Sequence, residues 1–179
     1  GGGFRVPLVY RALCEGPFAG LVRELVLYDV DPGRLAAINA VLASFAGQHP
    51  PAAATLPAVR ATTSLAEALH GTDMVFAAIR PGGTAGRTAD ERVALDLGLL
   101  GQETTGAGVA TGGISYALRS IPHMLELAAQ MRRHCPDAWL LNFTNPAGMV
   151  TEALVPVLGR KVVGICDSAG GLVYRAAHA

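Results

Sequence analysis

The sequence predicts an α/β domain with a doubly wound, mostly parallel sheet and helices on both of its faces. Strand-like and helix-like segments alternate along the 179 residues, which is typical of right-handed strand–helix–strand crossovers. Residues 72–79 (TDMVFAAI) form a continuous apolar run of strand length, as expected when both sides of a strand are covered. Hydrophobic residues make up 51% of the chain and charged residues 16%, so the composition favours a buried core.

Each predicted element has a local signal in the sequence. Apolar runs bounded by turn residues predict strands over 23–29, 58–62, 72–79, 138–142 and 161–165. Helical patterns cover 5–15, 32–46, 64–71, 113–134 and 146–158. Asp31 is suited to cap the second helix because Pro32 falls at its first position, and Ser64 is suited to cap the third. Pro122 predicts a kink or an early break in the fourth helix, and residues 48–56 are expected to form a loop.

The overall composition excludes several classes of partner. The formal net charge is zero, which gives no indication of a nucleic acid or of an anionic membrane surface. No apolar run approaches the ~20 residues that span a bilayer, so no membrane partner is expected. Three widely spaced cysteines do not suggest a disulfide framework, and we expect a cytoplasmic protein.

Both ends of the chain have the character of internal sequence. The chain begins at Gly1 without an initiator methionine and stops at Ala179 within a helical pattern. We therefore expect one domain over residues 1–179 that is truncated at both ends. The first strand of the sheet would precede Gly1, and its loss would expose two strand edges.

A nucleotide site is indicated near the beginning of the chain. Gly1, Gly2 and Gly3 precede a helical pattern, where glycines would let the backbone approach a pyrophosphate at a helix N-terminus. The triplet alone is equally compatible with a flexible terminus. Asp29 ends the next apolar strand, where a carboxylate would accept hydrogen bonds from the ribose of NAD and would repel the phosphate of NADP. The alternative for Asp29 is a solvated carboxylate at a strand end.

Four short strings resemble those of one enzyme family. They are GGTAGRTADE at 82–91, GQETTG at 101–106, NFTNPA at 142–147 and GICDS at 164–168. In this order and spacing they resemble the family 4 glycoside hydrolases, which include 6-phospho-glucosidases and depart from the two-carboxylate mechanism of most glycosidases. The resemblance extends over the whole chain and implies that it is the N-terminal, Rossmann-like portion of such an enzyme.

The resemblance implies a reaction that depends on NAD and a divalent metal, commonly manganese. NAD would oxidise the C3 hydroxyl of the sugar to a ketone, which acidifies the proton on C2. A base would remove that proton, the C1 substituent would be eliminated, water would add, and the ketone would be reduced again. The metal would polarise the C2 and C3 oxygens.

Arg87 and Asn145 are two of the residues that are predicted to bind the substrate. Arg87 is expected in a glycine-bracketed loop after an apolar strand, where its guanidinium can donate two hydrogen bonds to hydroxyls or to a sugar phosphate. The alternative is a surface arginine that pairs with Asp90 or Glu91. Asn145 precedes a predicted helix, and it is equally suited to cap that helix or to contact the sugar. The family resemblance favours substrate contact for both residues.

The resemblance also implies the catalytic and metal-binding residues. Glu103, in the GQETTG string, would face the substrate and the metal. Cys166 would bind the metal, although without the resemblance it would be assigned as a buried structural cysteine. Asp167 would contact the substrate, and Glu103 and Asp167 are the predicted catalytic residues. The metal-binding histidine and the catalytic tyrosine of the family would lie beyond Ala179.

Three functions stay open on the sequence. The first is a 6-phospho-β-glucosidase that binds a phosphorylated glucoside and forms a homo-oligomer at full length, with a 6-phospho-α-glucosidase as its alternative. The second is an NAD-dependent dehydrogenase of the lactate and malate type. The third, for the 179 residues alone, is nucleotide binding without turnover, since the isolated chain is expected to be inactive and only marginally folded.

Overall fold

The structure is a computed structural model that describes residues 1–15, 17, 19–48, 56–102 and 111–178. Its helices are α1 (Val6–Glu15), α2 (Pro32–Gln48), α3 (Leu65–Leu69), α4 (Gly83–Asp96), α5 (Thr111–His134), α6 (Ala147–Leu158) and α7 (Asp167–Ala177). Its strands are β1 (Glu24–Tyr28), β2 (Ala58–Thr62), β3 (Met74–Ala77), β4 (Trp139–Asn142) and β5 (Val162–Gly164). A short 3₁₀-helix covers Gly159–Lys161, and most of the loop expected over 48–56 lies outside the described residues.

The chain forms two compact units, which we call the N-terminal unit (Gly1–His70) and the C-terminal unit (Gly71–Ala179). The N-terminal unit contains a two-stranded sheet, and the C-terminal unit contains a three-stranded sheet in the order β3-β4-β5. A single domain over residues 1–179 stays a prediction.

The N-terminal unit is built on two parallel strands and the helices α1 and α2. Strand β1 pairs with β2 from Glu24 opposite Ala58 to Tyr28 opposite Thr62. The apolar sides of β1, α1 and α2 meet in a core of buried residues, which are Tyr10, Cys14, Leu27, Leu35 and Leu42. This packing explains the apolar pattern of the first two helices, since burying apolar surface is the main source of stability for such a unit.

Both predicted helix caps of the N-terminal unit are confirmed. The Asp31 carboxylate accepts hydrogen bonds from the backbone N–H groups of Gly33 at 2.8 Å and Arg34 at 3.2 Å, at the start of α2. The Ser64 hydroxyl accepts from the N–H of Glu67 at the start of α3. Each cap provides an acceptor for a backbone donor that has no partner within the helix.

The C-terminal unit is built on three parallel strands. Strand β4 lies in the middle and pairs with β3 on one side and with β5 on the other. The side chain of Leu140, at the centre of β4, is fully buried. All strand pairs in the described residues are parallel, which confirms the prediction of a mostly parallel α/β fold. These strands form two sheets, β1-β2 and β3-β4-β5.

The long helix α5 packs against α4 and α6. Its buried side includes Met124, Ala128 and Met131, which recur at helical spacing after Pro122. The early break expected at Pro122 is wrong, because α5 continues through the proline to His134. No helix in the described part of the chain is long and apolar enough to cross a lipid bilayer.

Replacing Leu140 tests the core of the C-terminal unit. Leu140→Ala is expected to lower the free energy of unfolding by about 2–5 kcal/mol, because it removes buried methyl groups and leaves a cavity. Trp139 is the single tryptophan of the chain and lies next to Leu140, so its fluorescence during urea unfolding reports on this unit. The control is Leu118→Ala, at a position that is 72% exposed, with an expected change within about 0.5 kcal/mol. Equal effects of both substitutions would contradict the burial of Leu140.

Candidate functional site

In the N-terminal unit, Asp29 lies directly after the carboxyl end of β1. One of its carboxylate oxygens, Oδ2, accepts a hydrogen bond from the backbone N–H of Gly2 at 2.9 Å. The other, Oδ1, accepts from the N–H of Asp31 at 3.1 Å. The amino group of Gly1 lies 3.7 Å from Oδ2 of Asp29 and donates to the carbonyl of Tyr28. The beginning of the chain is therefore held against the end of β1.

Two of the three predicted glycines are required by this close approach. A Cβ added to Gly1 would lie 2.6 Å from the carbonyl oxygen of Tyr28, and one added to Gly2 would collide with Cβ of Arg34. A Cβ on Gly3 would meet open space. The alternative of a flexible terminus does not describe Gly1 and Gly2, which pack on the strand and on α2. A phosphate-binding role for the triplet stays a prediction.

The environment of Asp29 favours its ionised form. Burial is the largest single influence and acts to raise the pKa of this carboxyl, while the hydrogen bonds from the N–H groups of Gly2 and Asp31 act to lower it. The nearby positive charges of the Gly1 amino group and Arg34 act in the same direction as these hydrogen bonds. The pKa of Asp29 therefore lies below its ordinary value. A carboxylate has about four acceptor positions, so the two N–H donors leave it able to accept from a hydroxyl.

In the C-terminal unit, three segments leave the sheet at one edge. Strands β3, β4 and β5 are parallel neighbours, so their carboxyl ends lie together, where ligands bind in open α/β sheets. The chain after β3 leads to Arg87, the chain after β4 carries Asn145, and the chain after β5 carries Cys166 and Asp167. The structure thus brings to one edge of the sheet the segments that carry these predicted residues.

A buried amide holds the segment after β4. The Asn142 side chain is fully buried, and its Nδ2 donates to the carbonyls of Thr144 and Ala147 and to the hydroxyl of Thr151, at 3.1–3.3 Å. Its Oδ1 accepts from the N–H of Thr144 at 2.9 Å. Both ends of this side chain are therefore satisfied, as buried polar groups require. From the sequence, Asn142 has no predicted role beyond its place in the NFTNPA string.

The same network reaches the two neighbouring strands. The Thr144 hydroxyl donates to the carbonyl of Ala77 at 3.3 Å and accepts from the N–H of Ile79 at 3.1 Å, which ties the end of β3 to the end of β4. On the other side, a Cβ added to Gly164 would collide with the Thr151 hydroxyl. This close packing ties the end of β5 to α6. Asn145 lies between Thr144 and Ala147, which both take part in this network, and Cys166 lies two residues after Gly164.

The structure corrects the predicted setting of Arg87. Arg87 was expected in a loop, but it lies in the second turn of α4, which begins at Gly83. The helix can start there because Gly82 adopts the left-handed conformation, with φ of 78°. Arg87 Nε donates to Glu91 at 2.9 Å, so the predicted alternative of a pair with Glu91 is present. Contact of Arg87 with a substrate stays a prediction.

Arg119 on α5 is a residue of this region that the sequence analysis missed. Its guanidinium forms a bidentate pair with the buried carboxylate of Asp90 on α4. It also donates to the carbonyls of Pro81 at 2.8 Å and Gly86 at 3.1 Å. The residues of the pair are 29 positions apart, so no local pattern could have revealed it.

Asn145 does not cap the helix that follows it. Residue Pro146 occupies the N-cap position of α6, and no side chain there accepts a hydrogen bond from the helix. The capping alternative for Asn145 is therefore wrong. The Asn145 residue itself is half-buried, between the fully buried Asn142 network and the start of α6.

The remaining predicted residues differ in how far they are described. Cys166 is exposed at the N-cap of α7, so its assignment as a buried structural cysteine is wrong. Asp167 begins α7, but its side chain lies outside the described part, as does the whole of Glu103. The two residues before Glu103 pack closely against helices. Gly101 lies against Glu91 of α4, where a Cβ would be 2.6 Å from the Glu91 carbonyl oxygen. Gln102 lies against Gly112 of α5, where a Cβ would collide with the Gln102 carbonyl.

An open cleft of about 580 Å³ lies beside Cys166. It is lined by α6 and by the chain leaving β5, with the residues Ala147, Gly148, Thr151, Glu152, Val155, Gly164, Ile165 and Cys166. Among the described residues, no three His, Cys, Asp or Glu side chains come together as a metal site would require. Cys166 is thus the single predicted metal ligand whose side chain is described.

Comparison with known proteins gives a consistent result. The family model described as family 4 glycosyl hydrolase matches residues 17–178. A probable 6-phospho-β-glucosidase of Bacillus subtilis is 40% identical over 159 residues, covering 88% of this chain and 35% of that protein. The chain is thus similar to part of a longer protein.

Solved structures agree with this match. A 6-phospho-α-glucosidase from gut microorganisms, in complex with NAD and Mn²⁺, has a TM-score of 0.78 and 34% identity over 94% of this chain and 37% of its own. The Thermotoga maritima 6-phospho-β-glucosidase with manganese, NAD⁺ and glucose-6-phosphate has a TM-score of 0.83 and 28% identity, covering 99% of this chain and 40% of its own. The chain spans 35% to 40% of the length of these three proteins.

Asn142→Asp tests the buried network. The substitution is expected to lower the free energy of unfolding of the C-terminal unit by about 3–5 kcal/mol at neutral pH, because an aspartate cannot donate to the three acceptors and is charged in a buried site. Burial raises the pKa of such a carboxyl, so the loss should become smaller as the pH falls toward 5.

The measurement for Asn142→Asp is urea unfolding followed by Trp139 fluorescence at both pH values. Asn39→Asp, at a half-buried position on α2, is the control and should show neither the large loss nor its pH dependence. A small effect of Asn142→Asp that does not change with pH would show that the amide is not essential to the network.

Titration of Asp29 tests the charge at the end of β1. Because its pKa is lowered in the folded state, Asp29 contributes stability above the ordinary carboxyl value of about 3.9, and this stability is lost as the pH falls through the lower, folded pKa. The amide proton shifts of Gly2 and Asp31 should therefore titrate with a midpoint below about 3.9. Asp29→Asn should abolish this step and Asp96→Asn should not. A midpoint above that value would contradict the hydrogen-bonded arrangement.

Proposed function

The chain belongs to the family 4 glycosyl hydrolases, and we propose that it forms the NAD-binding and part of the substrate-binding portion of an NAD- and manganese-dependent 6-phospho-β-glucosidase. The observation that carries the proposal is the arrangement at the edge of the β3-β4-β5 sheet. There, three segments bearing arginine, asparagine and cysteine leave parallel strands side by side. Hydrogen bonds of Thr144 join the first two, and the end of β5 packs against Thr151 of α6. Such an edge can present several polar groups to one sugar.

The N-terminal unit is proposed to bind the adenosine end of NAD. The ionised Asp29 carboxylate would accept hydrogen bonds from the ribose hydroxyls, for which its acceptor positions suffice. Its negative charge disfavours a ribose phosphate, so NAD is proposed in preference to NADP. The close packing of Gly1 on β1 and of Gly2 on α2 supports this site, because it holds the beginning of the chain beside the Asp29 carboxylate.

Arg87 and Asn145 are proposed to bind the phosphorylated glucoside. The Arg87 side chain is 48% exposed, and a guanidinium is suited to phosphate and hydroxyl oxygens through paired N–H groups. The Asn145 amide can both donate to and accept from sugar hydroxyls. The Glu91 carboxylate orients Arg87 through its contact with Nε.

Cys166 is proposed as one ligand of the metal. It is exposed beside an open cleft, at the N-cap of α7. The described residues do not complete a metal site, so the other ligands would come from residues outside them. When bound, NAD supplies a hydride acceptor and the divalent metal polarises sugar oxygens. Glu103 and Asp167 are proposed as the catalytic residues of this portion.

Both 6-phospho-β-glucosidases and 6-phospho-α-glucosidases occur among the similar proteins. Of these two activities, we propose the β-glucosidase. An NAD-dependent dehydrogenase is not proposed, because the family match covers residues 17–178 and its relatives are glucosidases.

The test assays a protein of full family length that carries this chain. It should cleave 4-nitrophenyl 6-phospho-β-glucoside faster than the α-anomer, and only with both NAD and Mn²⁺ present. Cys166→Ser should raise the Mn²⁺ concentration for half-maximal activity by about tenfold or more, because the variant replaces a ligand. Ser168→Ala, at an exposed position on α7, is the control and should leave it unchanged.

Each outcome of this assay decides a separate part of the proposal. Preference for the α-anomer would reassign the substrate but keep the cofactors. Cleavage without NAD, or steady NADH formation from a hydroxy acid, would overturn the proposed function.

A further inference from the structure

The guanidinium of Arg119 donates hydrogen bonds to the turn that leads into α4. Its Nε donates to the carbonyl of Pro81 at 2.8 Å, and its Nη1 donates to the carbonyl of Gly86 at 3.1 Å. These two carbonyls lie on either side of the first turn of the helix. The remaining donors of the guanidinium meet both carboxylate oxygens of Asp90, one helical turn further along α4. One planar side chain thus contacts the chain just before α4 and two successive turns of the helix.

The surroundings of Arg119 leave little room for any other arrangement. The Asp90 residue is 5% exposed, so its charge requires the partner that Arg119 provides. A Cβ added to Gly86 would lie 2.8 Å from Cζ of Arg119, and one added to Gly82 would lie 3.1 Å from Nε. Gly82 and Gly86, two of the three glycines of the GGTAG stretch, therefore make space for this guanidinium. The ring of Tyr116 lies 5.3 Å from Cζ and supports it from α5.

We propose that Arg119 and Asp90 are positioning residues for substrate binding, which fix the first turn of α4 and thereby the position of Arg87. Arg87 directly follows Gly86, whose carbonyl Arg119 holds. A shift of that turn would move the Arg87 backbone with it. The proposal rests on the proposed contact between Arg87 and the phosphorylated glucoside. It assigns Arg119 no contact with substrate.

The kinetic test replaces the planar guanidinium of Arg119 by the single ammonium group of a lysine. In the full-length protein, Arg119→Lys keeps the charge but cannot reach all four acceptors at once. The KM for 4-nitrophenyl 6-phospho-β-glucoside should rise about tenfold, while kcat changes less than about threefold and the KM for NAD stays the same. Arg92→Lys is the matched control, since Arg92 lies on the same helix, 74% exposed, and pairs with Asp96.

A second variant disturbs the guanidinium without changing any charge. Gly86→Ala places a methyl group against Arg119 and should raise the same KM in the same direction. Gly47→Ala on α2 is its control, because a Cβ there meets open space. A lower kcat with unchanged KM in both Arg119→Lys and Gly86→Ala would overturn the proposal and leave Arg119 a purely structural residue.

Amide hydrogen exchange separates this proposal from the proposed function. In the 179-residue chain, Arg119→Lys should speed exchange in peptides covering residues 83–90 at least tenfold, while peptides from α2 exchange as in the unsubstituted chain. If the full-length protein cleaves no phosphoglucoside, the proposed function fails, and the exchange result alone decides whether Arg119 fixes α4. Unchanged exchange over 83–90 would overturn that role.

Discussion

The buried side chain of Asn142 is the interaction on which the edge of the C-terminal sheet depends. Its amide joins the end of β4 to the start of α6 and to Thr151, against which Gly164 of β5 packs. Thr144, which Asn142 also orients, reaches across to the end of β3. An amide can do this because it donates and accepts at once, and because a buried donor left without a partner would cost about 1–3 kcal/mol. Asn142 and Thr144 fix the strand ends through hydrogen bonds, which an apolar side chain could not form.

The contact of Arg119 with Asp90 follows the same physical rule, with a buried ion pair in place of a buried amide. Asp90 is buried, and a buried carboxylate is stable only when its partner satisfies both oxygens. Arg119 does so and uses its remaining donors on two backbone carbonyls. The result is a helix start whose position is set from α5, a neighbouring helix, while Arg87 remains half-exposed next to it. Rigid support beneath an accessible side chain is what a binding site requires.

In the N-terminal unit the constraint is close approach of one backbone to another. Gly1 and Gly2 lie where a Cβ would collide with Tyr28 and Arg34, and the N–H of Gly2 reaches the Asp29 carboxylate. The absence of side chains at both positions allows the hydrogen bond, which is one of the contacts that lower the pKa of Asp29. Glycine is therefore needed here for space.

The sequence by itself determined the alternation of parallel strands and helices, the caps at Asp31 and Ser64, and the family to which the chain belongs. These features depend on residues within a turn or a strand of each other, or on short strings that are read directly. The tertiary structure decided the rest: that Arg87 lies on a helix, that Cys166 is exposed, and that Arg119 pairs with Asp90. The spacing of charged residues and the helical periodicity could not reveal that pair, because it forms only when α4 packs against α5. Burial and long-range pairing arise from packing, and packing depends on residues that are far apart in the sequence.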